Sequence, residues 1–241
     1  MKNYTLNSLL FTTSSNYEEN LQTLLTLIKQ TQTNSIVVAP EVCLTGYDYD
    51  NFEEMLDIAP RAIDEIKKVS KNKIIILTML ERRGEEVYNF AKIFFNSEMV
   101  YEQAKAKLFK FGDEHNYMTS GDAKNINIVE VDGIKIGLLI CFELRFKKLW
   151  QRLEGADIIA IPSWWGTLRT KNFKTLTNAL AIINQCYVIA SDSKNKECTG
   201  ESGIITPFGV EQRNGNKPCL EIPYDTKEIK KMRTYMDVGI G

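Results

Sequence analysis

Short β-branched runs alternate with segments whose apolar residues recur every three or four positions, from one end of the 241-residue chain to the other. Ser15-Asn16-Tyr17-Glu18 has the form of a capping box, and Leu21, Leu24, Leu25 and Ile28 behind it share one helical face. Ile36 to Ala39 predicts a short buried strand, and a helix is predicted from near Pro60 with Ile63, Ile66 and Val69 inward. Ile74 to Met79 and Val87 to Phe95 read as further strands. Ile126 to Val131 and Ile134 to Ile140 flank Asp132-Gly133, a hairpin signal.

An all-apolar strand then runs straight into Cys141, and Phe146, Leu149, Trp150 and Leu153 fall at helical spacing behind it, with Gly155 as the stop. Asp157 to Ile161, Tyr187 to Ser191, Ser202 to Thr206 and Cys219 to Ile222 predict strands, Phe173 to Ile183 a helix, and a short polar helix follows Asp225. No linker, repeat or low-complexity tract interrupts the series, so residues 1–241 are expected to form one domain. Hairpins mixed with strand–helix alternation favour an α/β fold with mixed sheets covered by helices over a purely parallel sheet.

Thirty basic and 31 acidic residues, interspersed, give a formal charge of −1. That balance supplies no electrostatic reason to bind nucleic acid or an anionic membrane. Five cysteines at positions 43, 141, 186, 198 and 219, without CxxC spacing or nearby histidines, fit neither a disulfide framework nor a zinc site. Leu6 to Phe11 is too short and polar for a signal core, and no apolar run approaches bilayer length. The expected location is the cytoplasm.

Three segments place an ionisable residue at the end of an apolar strand. Glu41 follows a buried run and a proline, where desolvation would raise its pKa toward that of a general base. Lys105 and Lys107 would share one side of an extended segment, so either is placed to enter a site. Cys141 would sit beside the amides that open a helix, a setting that favours the thiolate.

Taken together, these segments resemble the nitrilase (carbon–nitrogen hydrolase) superfamily. The resemblance runs through Pro40-Glu41-Val42-Cys43-Leu44-Thr45-Gly46-Tyr47, Lys105-Ala106-Lys107-Leu108-Phe109, Glu114 to Asp122, Cys141-Phe142-Glu143-Leu144-Arg145-Phe146, Ala179 to Val188 and Gly200 to Gly209, in the right order. There are departures. Lys107 stands where the family commonly has histidine, although the register of Leu108-Phe109 favours Lys105 as the family lysine. Leu180 and Ile183 replace an Arg and a Glu ahead of Asn184.

The resemblance implies a four-layer α-β-β-α sandwich with two mixed sheets and a Glu41-Lys105-Cys141 triad. Cys141 would attack an amide carbonyl, Glu41 would move the protons, and Lys105 with the Phe142 amide would hold the oxyanion. Glu114 would orient Lys105 or the substrate. Trp164 and Trp165, just past a strand end, would line the site, one facing the pocket and the other packing. Arg145 and Arg169 are candidates for a substrate carboxylate, with surface salt bridges as the simpler role. The implied substrate is a small amide, an ω-amide or N-carbamoyl amine, hydrolysed with water through a thioester. No metal or organic cofactor is implied, and the chain is expected to form a homodimer or higher homo-oligomer. The alternatives are a nitrile hydrolase or acyltransferase on the same fold, a thiol hydrolase pairing Cys141 with His115, and a binding protein that has lost catalysis.

Overall fold

A computed structural model describes residues 3–240. Two six-stranded sheets form its centre. The first contains β1 (Thr5–Leu9), β2 (Ser35–Val38), β3 (Lys73–Arg83), β4 (Glu86–Phe95), β5 (Glu98–Ala104) and β12 (Cys219–Pro223), in the order β12-β1-β2-β3-β4-β5. The second contains β6 (Val129–Val131), β7 (Ile134–Leu138), β8 (Ile158–Ser163), β9 (Tyr187–Asp192), β10 (Gly203–Ile205) and β11 (Glu211–Arg213), in the order β11-β10-β9-β8-β7-β6. Each sheet has three parallel strands, β1-β2-β3 or β7-β8-β9, flanked by antiparallel ones. The two sheets therefore repeat one arrangement, with β12 from the C-terminal part of the chain completing the first.

Alternation decides which residues face which layer. Ile36 and Val38 of β2, with Ile74 and Ile76 of β3, join Ile136, Leu138, Ile158 and Ala160 of the second sheet in a shared core. Val37, Ile75 and Leu77 point the other way, toward the helices α1 (Tyr17–Gln30) and α2 (Phe52–Val69). Helix α5 (Thr170–Ile183) adds Phe173, Leu180 and Ala181 to the core from the second sheet's side, and α4 (Lys147–Arg152) adds Leu149. This is the α-β-β-α sandwich, with α3 (Glu114–Tyr117) and α6 (Thr226–Tyr235) as shorter additions. Across the sheet interface Ser8 Oγ donates to Ala190 O and Ser191 Oγ to Leu9 O, each at 2.7 Å.

Several local expectations need correction. The cap of α1 is Asn16, whose side chain accepts from Glu19 N, one residue beyond the Ser15 of the expected box. Helix α2 begins at Phe52, so Pro60 lies inside it, on the exposed side, while Ala62 and Ile66 are buried and Ile63 and Val69 only partly so. A 3-10 turn (Cys141–Arg145) separates Cys141 from α4, which is only six residues long; the amphipathic helix does not start at the thiol. All five cysteines are free thiols. Among the described residues no helix is long and apolar enough to cross a membrane.

Candidate active site

Glu41 and Cys141 both follow the C-terminal ends of parallel strands, β2 in one sheet and β7 in the other. Crevices outside such ends are where ligands collect in α/β folds. Lys105 follows β5 directly. The chain turns away from extended geometry there, so Lys105 and Lys107 do not share a side: Lys105 is fully buried, while the Lys107 ammonium lies 5.3 Å from the Phe146 ring centroid.

Lys105 Nζ reaches two carboxylates, Glu41 Oε1 at 2.7 Å and Glu114 Oε1 at 2.6 Å. Glu41 Oε1 also accepts from Asn89 Nδ2 at 2.9 Å and from the Tyr47 hydroxyl at 2.8 Å, and that hydroxyl lies 3.0 Å from Glu114 Oε1. The second oxygen of Glu114 accepts from Phe109 N, that of Glu41 from Trp164 N. Burial works against the Lys105 ammonium, but the two carboxylates reverse this and hold it above the usual lysine range. Burial raises Glu114, partly offset by Lys105. Removing one member of such a buried charge set commonly costs about 3–5 kcal/mol, because the rest is left uncompensated.

Cys141 adopts φ +45° and Val42, next to Glu41, φ +42°. Non-glycine residues rarely occupy this region, and each stores roughly 1–3 kcal/mol of strain that the surrounding structure must hold. The Cys141 thiol donates to Trp164 O at 3.6 Å. Trp164 thus contacts the thiol through its carbonyl and Glu41 through its amide. Burial, reinforced by the Glu41 carboxylate, pushes the Cys141 pKa well up, against the weaker pull of Lys105. Burial and the neighbouring carboxylate therefore oppose the thiolate, and no α-helix starts at Cys141 to favour it as the sequence led us to expect.

Sequence reasoning overlooked Glu143. It is fully buried, and its two oxygens accept from Ala106 N at 2.6 Å and Ile140 N at 2.8 Å, tying the lysine segment to the cysteine turn. Burial raises its pKa to about 7. Its signal was a glutamate two residues past the cysteine in an otherwise apolar stretch. Asn89 was legible too, as the polar break at an inward position of β4. Asp192, at the end of β9, accepts from Trp165 N at 2.8 Å and so fixes the loop after β8.

A slot of only 20 Å³ opens beside the thiol, enough for about one water-sized group. Phe109, Phe142, Trp164, Trp165, Arg145 and Arg169 wall it. Both tryptophans therefore border the slot. Trp165 is also packed against Phe173 at 5.4 Å, and Trp164 meets Tyr47 edge-on. Arg145 lies over Trp165 and donates to Asn172, and Arg169 lies over Phe109, so their neighbours are rings and an amide instead of the carboxylates of a surface salt bridge. His115 is exposed on α3.

Comparison with known proteins agrees with this architecture. The sequence profile of the family described as carbon-nitrogen hydrolase matches residues 5–212. The chain is 32% identical over 224 residues to 2-oxoglutaramate amidase of Bacillus subtilis, covering 87% of this chain and 85% of that protein. It is 28% identical over 243 residues to deaminated glutathione amidase of Escherichia coli, covering 95% and 93%. Its fold matches Saccharomyces cerevisiae Nit3, a member of branch 10 of the nitrilase superfamily, with a TM-score of 0.85 at 21% identity, covering 99% of this chain and 96% of that one.

Proposed function

The chain belongs to the carbon–nitrogen hydrolase family of the nitrilase superfamily, and from that membership we propose an amidase that cleaves the terminal C–N bond of a small ω-amide through a thioester on Cys141. The observation that carries the reading is the buried Glu41-Lys105-Glu114 set beside the Cys141 thiol at the mouth of one slot. A thiol whose pKa is pushed up needs a base at the moment of attack, and of the two carboxylates that act on it, Glu41 has the larger influence, ahead of Glu114.

In this reading Glu41 takes the Cys141 proton as sulfur bonds to the carbonyl carbon. Lys105 and the Phe142 amide hold the oxyanion, a task worth about 3–4 kcal/mol per donor in comparable sites. Glu41 returns the proton to nitrogen, ammonia leaves, and the thioester remains. Water then attacks with Glu41 as base, releasing the carboxylic acid and restoring the thiol. Glu114 and Tyr47 keep Lys105 aimed and charged. Arg145 and Arg169 at the rim favour a substrate with a carboxylate at its far end.

Homodimerisation is part of the proposal, supported by an exposed apolar patch. Ile182 packs under Gly209, and Lys231 lies 5.9 Å from both the Phe208 and Tyr235 rings, so these apolar groups form adjoining surface. Ammonia release from a panel of ω-amides, N-carbamoyl amines and nitriles, compared between the wild type and Cys141→Ala, tests the chemistry. Turnover lost in the variant supports the cysteine route, and equal turnover removes it. Preference for a nitrile would favour the nitrilase alternative.

A further inference from the structure

A second concavity adjoins the thiol slot and shares Arg145 with it. It measures 690 Å³, within the range of small-molecule sites. Six cationic residues line it: Lys107, Lys124, Arg145, Lys147, Lys148 and Arg152. No acidic residue lines it, although the whole chain carries a charge of only −1. The acids nearest in sequence lie outside the lining: Asp122 accepts from Lys124 N to cap a turn, Glu143 is buried with its oxygens on the Ala106 and Ile140 amides, and Glu154 follows α4.

Arg152 is fixed by its own contacts, donating to the carbonyls of Ile126 and Lys124 and to Asn127 Oδ1. Lys148, Gln151 and Arg152 lie on one side of α4 at i, i+3, i+4 spacing. Phe146 and Leu149 supply an apolar floor. The slot at Cys141 has room for about one water-sized group, so all but the reacting tip of any substrate must lie outside it.

We propose that this basic groove is a binding subsite for the remote end of the substrate, and that this end is a polycarboxylate with at least two negative charges. The inference rests on the amidase reading and adds a substrate class to it. Arg145 stands at the junction, where it faces a carboxylate near the amide, and the lysines of α4 meet the charges beyond. Concave, single-sign walls concentrate field and attract such ligands even when individual lysines are exposed.

Two matched ω-amides test this: succinamoyl-aspartate, with two carboxylates beyond the amide, and succinamoyl-alanine, with one. The expected kcat/KM preference for the aspartyl compound is about tenfold or more, carried by KM and weakened by salt. Lys148→Glu should abolish that preference while leaving turnover of plain succinamate within about twofold, as a surface change should. Equal kcat/KM for the two amides, or a preference that survives Lys148→Glu, would overturn the subsite and leave the amidase reading intact. If no amide is turned over, the amidase reading fails, and calorimetry on the resting protein decides the groove. Tricarballylate binding lost in Lys148→Glu would uphold it. Binding of tripolyphosphate but not tricarballylate would assign it to phosphate chemistry instead and overturn the proposal.

Discussion

Glu143 accepts a 2.6 Å hydrogen bond from the amide of Ala106, one residue past Lys105, while its other oxygen takes the amide of Ile140, one residue before Cys141. One carboxylate thereby sets the spacing between two segments 36 positions apart in the numbering of Lys105 and Cys141. Replacing it by Gln turns an NH₂ group toward one of the two amides. The expected result is a fall in kcat of about tenfold to a hundredfold with KM nearly unchanged, since misplacement of reacting groups costs rate. A loss confined to KM would contradict this positioning role.

Glu143 also gives stability a pH dependence. Its folded pKa of about 7 lies above the unfolded value of ~4.3, so the folded state holds the extra proton between those limits. Its contribution is therefore largest at acidic pH and declines as pH rises through that window, by something on the order of 3 kcal/mol if fully expressed. Urea midpoints at about pH 5 and pH 7 should show a larger alkaline-side loss in the wild type than in Glu143→Gln. Identical losses in the two proteins would sink the assignment.

Tyr47→Phe removes the hydroxyl that bridges Glu41 and Glu114. The one hydroxyl proton is shared between two buried carboxylate oxygens, Glu41 Oε1 at 2.8 Å and Glu114 Oε1 at 3.0 Å, so its loss should lower the unfolding free energy by about 1–3 kcal/mol. Activity should fall by about tenfold in kcat, because Lys105 and Glu41 lose a shared anchor. Unaltered stability and turnover would show that the hydroxyl contributes nothing there.

The raised Cys141 pKa predicts how the resting protein meets iodoacetamide. Thiolate is the reactive form, so the alkylation rate at Cys141 should keep climbing from about pH 7 to pH 9 without a plateau. A rate already flat across that range would mean a stable thiolate and contradict the burial argument.

His115→Ala should leave ammonia release within about twofold of the wild type, since the ring is exposed on α3 and outside the hydrogen-bonded set. Near-total loss in a folded variant would instead restore the Cys/His pairing.

Much of the fold was legible because its periodicities are strong. Leu21, Leu24, Leu25 and Ile28 are all buried in α1, and Asp132 and Gly133 take φ of +51° and +78°, as a primed hairpin turn requires. The start of α2 was misread because proline usually opens a helix. The run Met55, Ile58, Ala59, Ala62, Ile66 continues through Pro60 without a break and carried the better signal. Strand β1 was faint because Asn7 and Ser8 are polar yet buried, and the Ser8 hydroxyl is used between sheets. Strand β11, all polar over three residues, has no sequence signal of its own. Glu41, Lys105, Glu114 and Cys141 were each singled out as residues, and the structure brings them into one cluster. Asn89 and Glu143 stand out locally as polar residues in apolar surroundings, but which groups they and Tyr47 pair with depends on tertiary placement that no local pattern encodes.

The two hydroxyl–carbonyl bonds between β1 and β9 join sheets that supply different parts of the site, Glu41 and Lys105 from one and Cys141 from the other. Neither sheet alone carries all the groups of the proposed triad. Turnover is then a gauge of how well one slab is seated on the other, and a fragment retaining every secondary element of its own sheet would still be chemically silent. Severed halves, if they found each other again, would announce their reunion by regaining amide turnover.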